Sequence, residues 1–477
     1  MPSIIWFRED LRIHDNTALI AARNQSEHLV AVYFITPKTW RSHDLAATRI
    51  NFMLQGLALL QKNLDSLHIP LLVFQCPKFS DIDPILCQVA EHYKATHVFA
   101  NKQYEVNELA RDVSVEKALA KINIKFHTYD DQTIIAPDKI KTQKNTVYTV
   151  FTPYKKAWIN TFIEEPPIVL KVPKKAKKND APEFKHNTLL TDIPEKIPGF
   201  TSTVDVKLWP AGEKIALKQL DKFVSTKIKK YEKERDFPAL DGTSQISPYL
   251  ATGMLSARMC LEKALKANKG KLIDGNKNID CWISELIWRE FYKSILVGFP
   301  RVCRHRAFQL DTEKLKWHSN HDHLVAWKNG KTGFPIVDAA MRQLKQTGWM
   351  HNRLRMITAM FFSKLLWIDW RLGEQYFMQH LIDGDFASNN GGWQWSASTG
   401  TDAAPYFRIF NPISQSEKFD PKGEFIRQYC PELADLDDNA IHNPYEYAIG
   451  ELDYPQPIID YKKCREYAIE TFKKLKS

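Results

Sequence analysis

No run of about 18 consecutive apolar residues occurs in the 477-residue chain, so no membrane-spanning helix is expected. The opening residues, MPSIIWFRED, lack a basic segment followed by a long apolar stretch, and no secretory leader is expected. Cysteine is scarce: there are seven, scattered and odd in number. That argues against a disulfide framework and fits reduced thiols in a cytosol-like compartment. No GxGxxG follows the first apolar run, which argues against a nicotinamide enzyme. Internal repeats are absent. Acidic residues are outnumbered, 56 Asp and Glu against 66 Lys and Arg, leaving a formal charge of +10. An excess of that sign favours a polyanionic partner such as nucleic acid, although a merely basic surface gives the same count.

With 44% hydrophobic and 26% charged residues the chain reads as a soluble globular protein of two or three domains. Short apolar runs at 4–7, 29–35, 70–75 and 96–100 alternate with helix-like stretches such as 49–67 and 83–93. Buried strands spaced by amphipathic helices predict an α/β domain built on a doubly wound parallel sheet. Residues 164–200 turn rich in Pro and Lys and read as a linker draped over the surface. From about residue 210 the apolar period is helical, which predicts a larger, all-α second domain. The expected division is 1–131, 132–205 (linker) and 206–477.

Several polar clusters stand out. Glu285, Trp288, Arg289 and Tyr292 follow helical spacing and share one face, which is also what an exposed face with one half-buried indole would show. Asn352 and Met356, one turn apart, face one way, and Met356 is equally suited to plain packing. DGD at 383–385 followed by NNGG at 389–392 reads as a tight polar binding turn; the further acidic residues of a calcium loop are missing. Trp393 and Trp395 sit among Asn, Gly, Ser and Thr, a poor context for a core and a good one for flat aromatic faces lining a polar cavity. Such faces suit an isoalloxazine ring or a nucleobase. Thr243, Ser244, Gln245, Ile246 and Ser247 offer hydroxyls and backbone donors for phosphate at a loop-to-helix junction, or simply a Ser/Thr turn. His318, His321 and His323 resemble a metal cluster but lack the Cys or second His pair that zinc requires; no metal is expected.

Long blocks carry a resemblance. WFREDLRIHDN (6–16), QYEVNELARD (103–112), YEKERDFPALDGTSQISPYLATG (231–253), WISELIWREFYKSIL (282–296), GWMHNRLRM (348–356) and the stretch 383–415 resemble the DNA photolyase/cryptochrome family, in particular the class I cyclobutane pyrimidine dimer photolyases. The resemblance covers nearly the whole chain except the region around 165–205.

It implies a light-driven carbon-carbon lyase. The helical domain would bind FAD and flip a pyrimidine dimer out of DNA, and electron transfer from excited reduced FAD would open the dimer. It places the dimer against Glu285, Trp288, Asn352, Met356 and Trp395. FAD would be held by Tyr231, Thr243, Ser244, Gln245, Ile246, Ser247, Trp282, Arg289, Arg355, Asp383, Gly384, Asp385 and Asn389, with Arg355 paired to Asp383. Trp317, Trp370 and Trp393 match the family's tryptophan relay; Arg235, Arg353 and Gln415 would meet DNA. His43, Asn107 and Glu108 match an antenna site for 5,10-methenyltetrahydrofolate. Arg304 stands there where Lys is usual, so a deazaflavin or an empty site stays open. Asn352 and Met356 replace the histidine pair of the (6-4) branch, and Asn389 favours repair over signalling. The implied protein is a cytoplasmic monomer acting on DNA, with no membrane and no obligate protein partner. The alternative is a cryptochrome-type photoreceptor signalling through protein partners.

Overall fold

The structure, a computed structural model, describes residues 2–178, 183–447 and 452–476. Contacts divide the chain into two compact units. The first comprises residues 1–202, 209–228 and 244–300; the second comprises 203–208, 229–243 and 301–477. This division by contacts is drawn differently from the division by role at 131 and 205.

In the first unit five parallel strands form one sheet. They are β1 (Ser3–Trp6), β2 (Leu29–Ile35), β3 (Leu71–Gln75), β4 (His97–Asn101) and β5 (Lys125–Tyr129), in the order β3-β2-β1-β4-β5. Ile4 of β1 lies between Val30 and Val98. β1 and β2 are buried along their whole length, which is why they read as unbroken apolar runs rather than alternating ones. Helices α1 (Thr17–Gln25), α2 (Ala47–Ser66), α3 (Ile82–His92) and α4 (Val106–Lys121) connect successive strands. The doubly wound sheet is as expected. The fifth strand, KFHTY, was not foreseen: it is an edge strand, half-buried or exposed, and its Lys and His hide it from an apolar scan.

Helices α5 (Phe151–Glu164), α6 (Glu213–Thr226), α7 (Ala257–Ala267) and α8 (Lys277–Gly298) complete this unit. Buried charge ties them to the sheet. Arg258 of α7 donates to Asp131 at 2.7 Å and to Asp15 at 2.9 Å, and Arg12 also meets Asp131. Burial alone would push Asp131 up, but the two guanidiniums hold its carboxyl far below the usual carboxylate range. Gly253, with φ of 67°, lets the chain pass so close to the Glu9 carbonyl that a Cβ would lie 2.1 Å from it. Among the described residues the Pro/Lys-rich stretch carries no helix or strand beyond Glu164, and it is anchored. Gln75 N–H donates to the Thr188 carbonyl, Leu190 N–H to the Val73 carbonyl, and Phe74 and Leu189 form an antiparallel bridge along β3.

The second unit is helical. Its principal helices are α9 (Pro335–Thr347), α10 (Asn352–Met360), α11 (Trp370–Met378), α12 (Phe386–Ala397), α13 (Pro412–Phe419) and α14 (Tyr461–Lys476). α10 runs into a π-helix, Phe361–Leu365. Its core is unusually rich in indoles: Trp327, Trp367, Trp370 and Trp393 are all fully buried. Among the described residues no helix is long and apolar enough to cross a membrane, and no group of three or more His, Cys, Asp or Glu is placed to hold a metal ion.

Candidate active site

α10 begins at a histidine. The Nδ1 of His351 accepts the Arg353 N–H at 3.2 Å, so His351 acts as the N-cap, a task only a neutral ring nitrogen can perform. Burial pushes its pKa down to about 4, and the Arg355 and Arg353 cations add to the shift against an opposing pull from Asp236. One turn along, the Asn352 amide lies 3.9 Å from the Met356 sulfur. Arg355 donates from Nε to the Met350 carbonyl at 2.8 Å and from Nη2 to both Asp383 oxygens at 3.0 and 2.8 Å. The Asp383 side chain is 3% exposed and Arg355 26%. The carboxylate is therefore the deeply buried partner.

Of the stretch expected as a polar turn, 383–385 lies outside any helix, but 389–392 belongs to one, α12. Asp385 caps α12 by accepting from the Ser388 N–H at 2.9 Å and its hydroxyl at 2.8 Å, and that cap overrides the low helix propensity of Asn389–Gly392. Asn389 is held by donating to the Glu374 carbonyl at 2.9 Å. The helix also corrects the reading of the two indoles. Two residues apart on a helix, they point to nearly opposite sides. Trp393 is a core residue, edge-on to Phe377 at 4.9 Å, Phe362 at 5.6 Å and Trp327 at 6.0 Å. Gly373 of α11 makes room for it: a Cβ there would lie 2.1 Å from the indole. Trp395 is half-buried and, among the described residues, stacks on no other ring.

Trp370 is buried under Arg371, whose guanidinium lies 4.8 Å from the ring. Trp317 is half-buried and packs 5.1 Å from Trp367, a residue the sequence reading passed over. Arg353 is less free than expected: it pairs with Asp236 at 2.8 Å and lies 4.3 Å over the Phe419 ring. Arg235 lies 5.3 Å over Tyr231 and 3.9 Å from the same Asp236. Gln415 stands half-buried on α13, Thr243 is half-buried, and Arg304 is exposed at the end of a short 3-10 turn.

In the first unit Glu285, Trp288, Arg289 and Tyr292 do share a face of α8. Phe151 of α5 covers one side of Trp288, with centroids 3.6 Å apart and planes 7° apart. Arg289 donates to the Gln132 carbonyl at 2.5 Å. Trp282 is buried against Phe223 at 5.3 Å. The next residue on the helix, Glu290, was not singled out by sequence. It accepts from the Ile134 and Ile135 N–H groups and from the Trp158 indole at 2.7 Å, and burial lifts its pKa to about 7. The Ser244 carbonyl accepts from Gln219 at 3.0 Å, and Gln245 has φ of 51°. The helix that follows, Ser247–Ala251, is five residues long with no side-chain cap bond at its start. Any phosphate here must be held by hydroxyls and local N–H groups, since so short a helix has little dipole. His43 joins the other two antenna candidates of this unit, 2.9 Å from the Asn107 amide and 3.3 Å from the Glu108 carboxylate. Burial pulls His43 down, but the Glu108 carboxylate outweighs it and holds the ring above its usual value.

Residues 3–173 match the family model described as DNA photolyase, and residues 282–474 match that of the FAD binding domain of DNA photolyase. The chain is 48% identical to a deoxyribodipyrimidine photo-lyase of Escherichia coli (strain K12), over 98% of both chains. Among solved structures it resembles a bacterial class III photolyase from Agrobacterium tumefaciens. That match has a TM-score of 0.86 and 33% identity, and it covers 100% of this chain and 98% of that one. A cryptochrome from Synechocystis sp. PCC6803 matches with a TM-score of 0.88 at 26% identity, over 99% of each chain. The chain belongs to the DNA photolyase family, and its C-terminal part is that family's FAD-binding domain.

The donor set of the second unit suits a flavin ring. A flat heterocycle edged with N–H and carbonyl groups needs paired donors and acceptors fixed in direction. The Arg355–Asp383 pair, the capping Asp385 and the tethered Asn389 supply them. Beside them the Asn390 amide nitrogen is buried with no hydrogen-bond partner among the described residues.

Proposed function

We propose that this chain is a deoxyribodipyrimidine photo-lyase of the class I branch, which splits cyclobutane pyrimidine dimers in DNA under blue light. The observation that carries the reading is the arrangement on α10: Asn352, Arg355 and Met356 rise from one helix, and Arg355 is fixed by the buried Asp383. Bound FAD supplies light absorption and one-electron chemistry. Arg355, Asp383, Gly384, Asp385 and Asn389 would hold its ring, and Thr243, Ser244, Gln245, Ile246 and Ser247, with Tyr231, its diphosphate; Trp282 and Arg289 are assigned to it as well.

The chain's own residues do the rest. Extruding the dimer costs a few kcal/mol, less for a base pair already distorted. Trp288 stacks on the dimer with the face that Phe151 leaves open. Trp395 adds a second aromatic face, at about 1–3 kcal/mol per stacked base. Glu285 hydrogen-bonds the thymine, an interaction that strengthens as negative charge develops. Asn352 and Met356 line the same substrate. Trp393, Trp370 and Trp317 carry electrons between the interior and the surface. Arg235, Arg353 and Gln415 meet the DNA backbone. His43, Asn107 and Glu108, with Arg304, take a methenyltetrahydrofolate antenna, and a deazaflavin is the second choice. The protein works as a monomer in the cytoplasm.

The test is light-dependent repair of a dimer-containing oligonucleotide by protein carrying reduced FAD. Repair is expected. Tight FAD binding with no repair would transfer the chain to the photoreceptor reading.

A further inference from the structure

Beside Trp317, one cluster of the second unit contains three residues given no role in that chemistry: Trp367, Tyr467 and His318. After the π-helix Phe361–Leu365, Trp367 adopts φ of 54°. A bulky L-residue in the left-handed region costs about 1–2 kcal/mol, and π turns concentrate at functional sites. The strained backbone sets the Trp367 ring 5.1 Å from Trp317, with its indole N–H donating to the Lys316 carbonyl at 2.8 Å. On the other side Tyr467 of α14 stands edge-on at 5.4 Å. His318 closes the group. Its backbone N–H donates to the Trp367 carbonyl at 2.7 Å, and its Nε2 lies 3.2 Å from the Tyr467 hydroxyl. Trp367 is 1% exposed, whereas Tyr467 is 43% exposed. Tyr467 and His318 open onto a cleft of about 640 Å³ that Trp317 and Trp367 also line. The histidine-rich run that resembles a metal cluster thus contributes a hydrogen-bond partner for a phenol.

We propose that Tyr467 is a redox-active tyrosine that refills an oxidised Trp317 by way of Trp367, with His318 accepting the phenolic proton. The proposal rests on the relay reading of Trp317 for its oxidant. In the step, the Trp317 indole radical cation gains one electron and becomes neutral indole. Tyr467 loses that electron and the proton of its O–H bond. The proton forms an N–H bond on His318, leaving a neutral tyrosyl radical and an imidazolium. A phenol gives up an electron readily only as its proton leaves, so a base within hydrogen-bond reach decides whether a tyrosine can take part. Among the residues lining this cleft, Tyr467 has one.

The test is made in the dark on the FAD-loaded protein, with azide radicals from pulse radiolysis oxidising indoles directly. Indolyl absorption should decay into tyrosyl absorption. Tyr467→Phe should remove most of the tyrosyl growth. Trp367→Phe should slow it, and His318→Gln should slow it roughly tenfold or more. Deuterated water should slow the wild type and not His318→Gln. Tyrosyl growth of unchanged size and rate in Tyr467→Phe overturns the proposal, as does unaltered growth in His318→Gln. Trp393→Phe breaks only the flavin end of the relay and should leave this dark step unchanged. Failure of the relay and failure of the tyrosine step are therefore read separately.

Discussion

Phe151 lies face to face with Trp288, centroids 3.6 Å apart and planes 7° apart. One side of that indole is spent inside the protein, so on the proposed reading a base stacks on the other. Trp288→Ala should therefore weaken binding of a dimer-containing duplex by about 1–3 kcal/mol, roughly five- to 150-fold. Phe151→Ala should weaken it less, by releasing the indole rather than removing it. Titration of the dimer duplex in the dark checks both; equal losses would mean that Phe151 does more than hold the ring.

The burial of Asp383 sets an order between two variants. Arg355→Ala leaves a carboxylate that is 3% exposed without its cation, a loss of about 3–5 kcal/mol. Asp383→Ala leaves an arginine that is 26% exposed and still bonded to the Met350 carbonyl, and should cost less. Thermal unfolding of both proteins and their FAD content after gel filtration should rank them in that order.

Trp393→Phe should block photoreduction of oxidised FAD and leave repair by chemically reduced enzyme nearly intact. Phe keeps the packing against Phe377 and Phe362 but is far harder to oxidise than an indole. Flash photolysis and a repair assay on the same sample separate the two effects.

His351 gives a pH prediction with a definite sign. Its folded pKa is depressed from 6.5 to about 4, so its contribution is complete above pH 6.5 and is lost as pH falls through 4. The loss is on the order of 3 kcal/mol. His351→Asn keeps a capping acceptor and does not titrate. It should flatten the stability profile between pH 6.5 and 4 and preserve FAD binding at the acid end. Denaturant titrations across that range decide; an unchanged slope would remove His351 as its source.

Asp236 pairs with Arg353 at 2.8 Å, so on the proposed reading it competes with DNA for that guanidinium. Arg353→Ala should weaken binding to damaged and undamaged DNA alike, with a salt slope flatter by about one phosphate contact. Asp236→Asn should strengthen non-specific binding at low salt, because it releases the guanidinium. Salt-dependent binding isotherms on the two variants test both directions.

Much of this was legible in the sequence because it was local. The runs at 4–7, 29–35, 70–75 and 96–100 are strands shifted by no more than one residue at either end, since burial on both faces forces an unbroken apolar run. The shared face of Glu285, Trp288 and Arg289 follows from helical spacing alone. The Arg355–Asp383 pair came from family resemblance, and the geometry bears it out. What was missed depends on distant partners. Nothing near Trp288 announces Phe151, and nothing near Arg353 announces Asp236. Trp393 looked polar because its sequence neighbours are polar; its real neighbours are Phe377 of α11, Phe362 of the π-helix and Trp327. Trp367 sits in an ordinary apolar run, and only its backbone angle marks it.

The bridge between Leu189 and Phe74 has a consequence for handling this protein. An uncovered β3 would present a row of free backbone donors and acceptors to any other extended chain, the usual starting point of strand-on-strand aggregation. The Pro- and Lys-rich stretch occupies that border, and its prolines and like charges discourage further strands from joining. A protease cut near residues 183–190 would spare the chemistry of the second unit yet uncover this edge. The nicked protein should lose solubility well before it loses its fold.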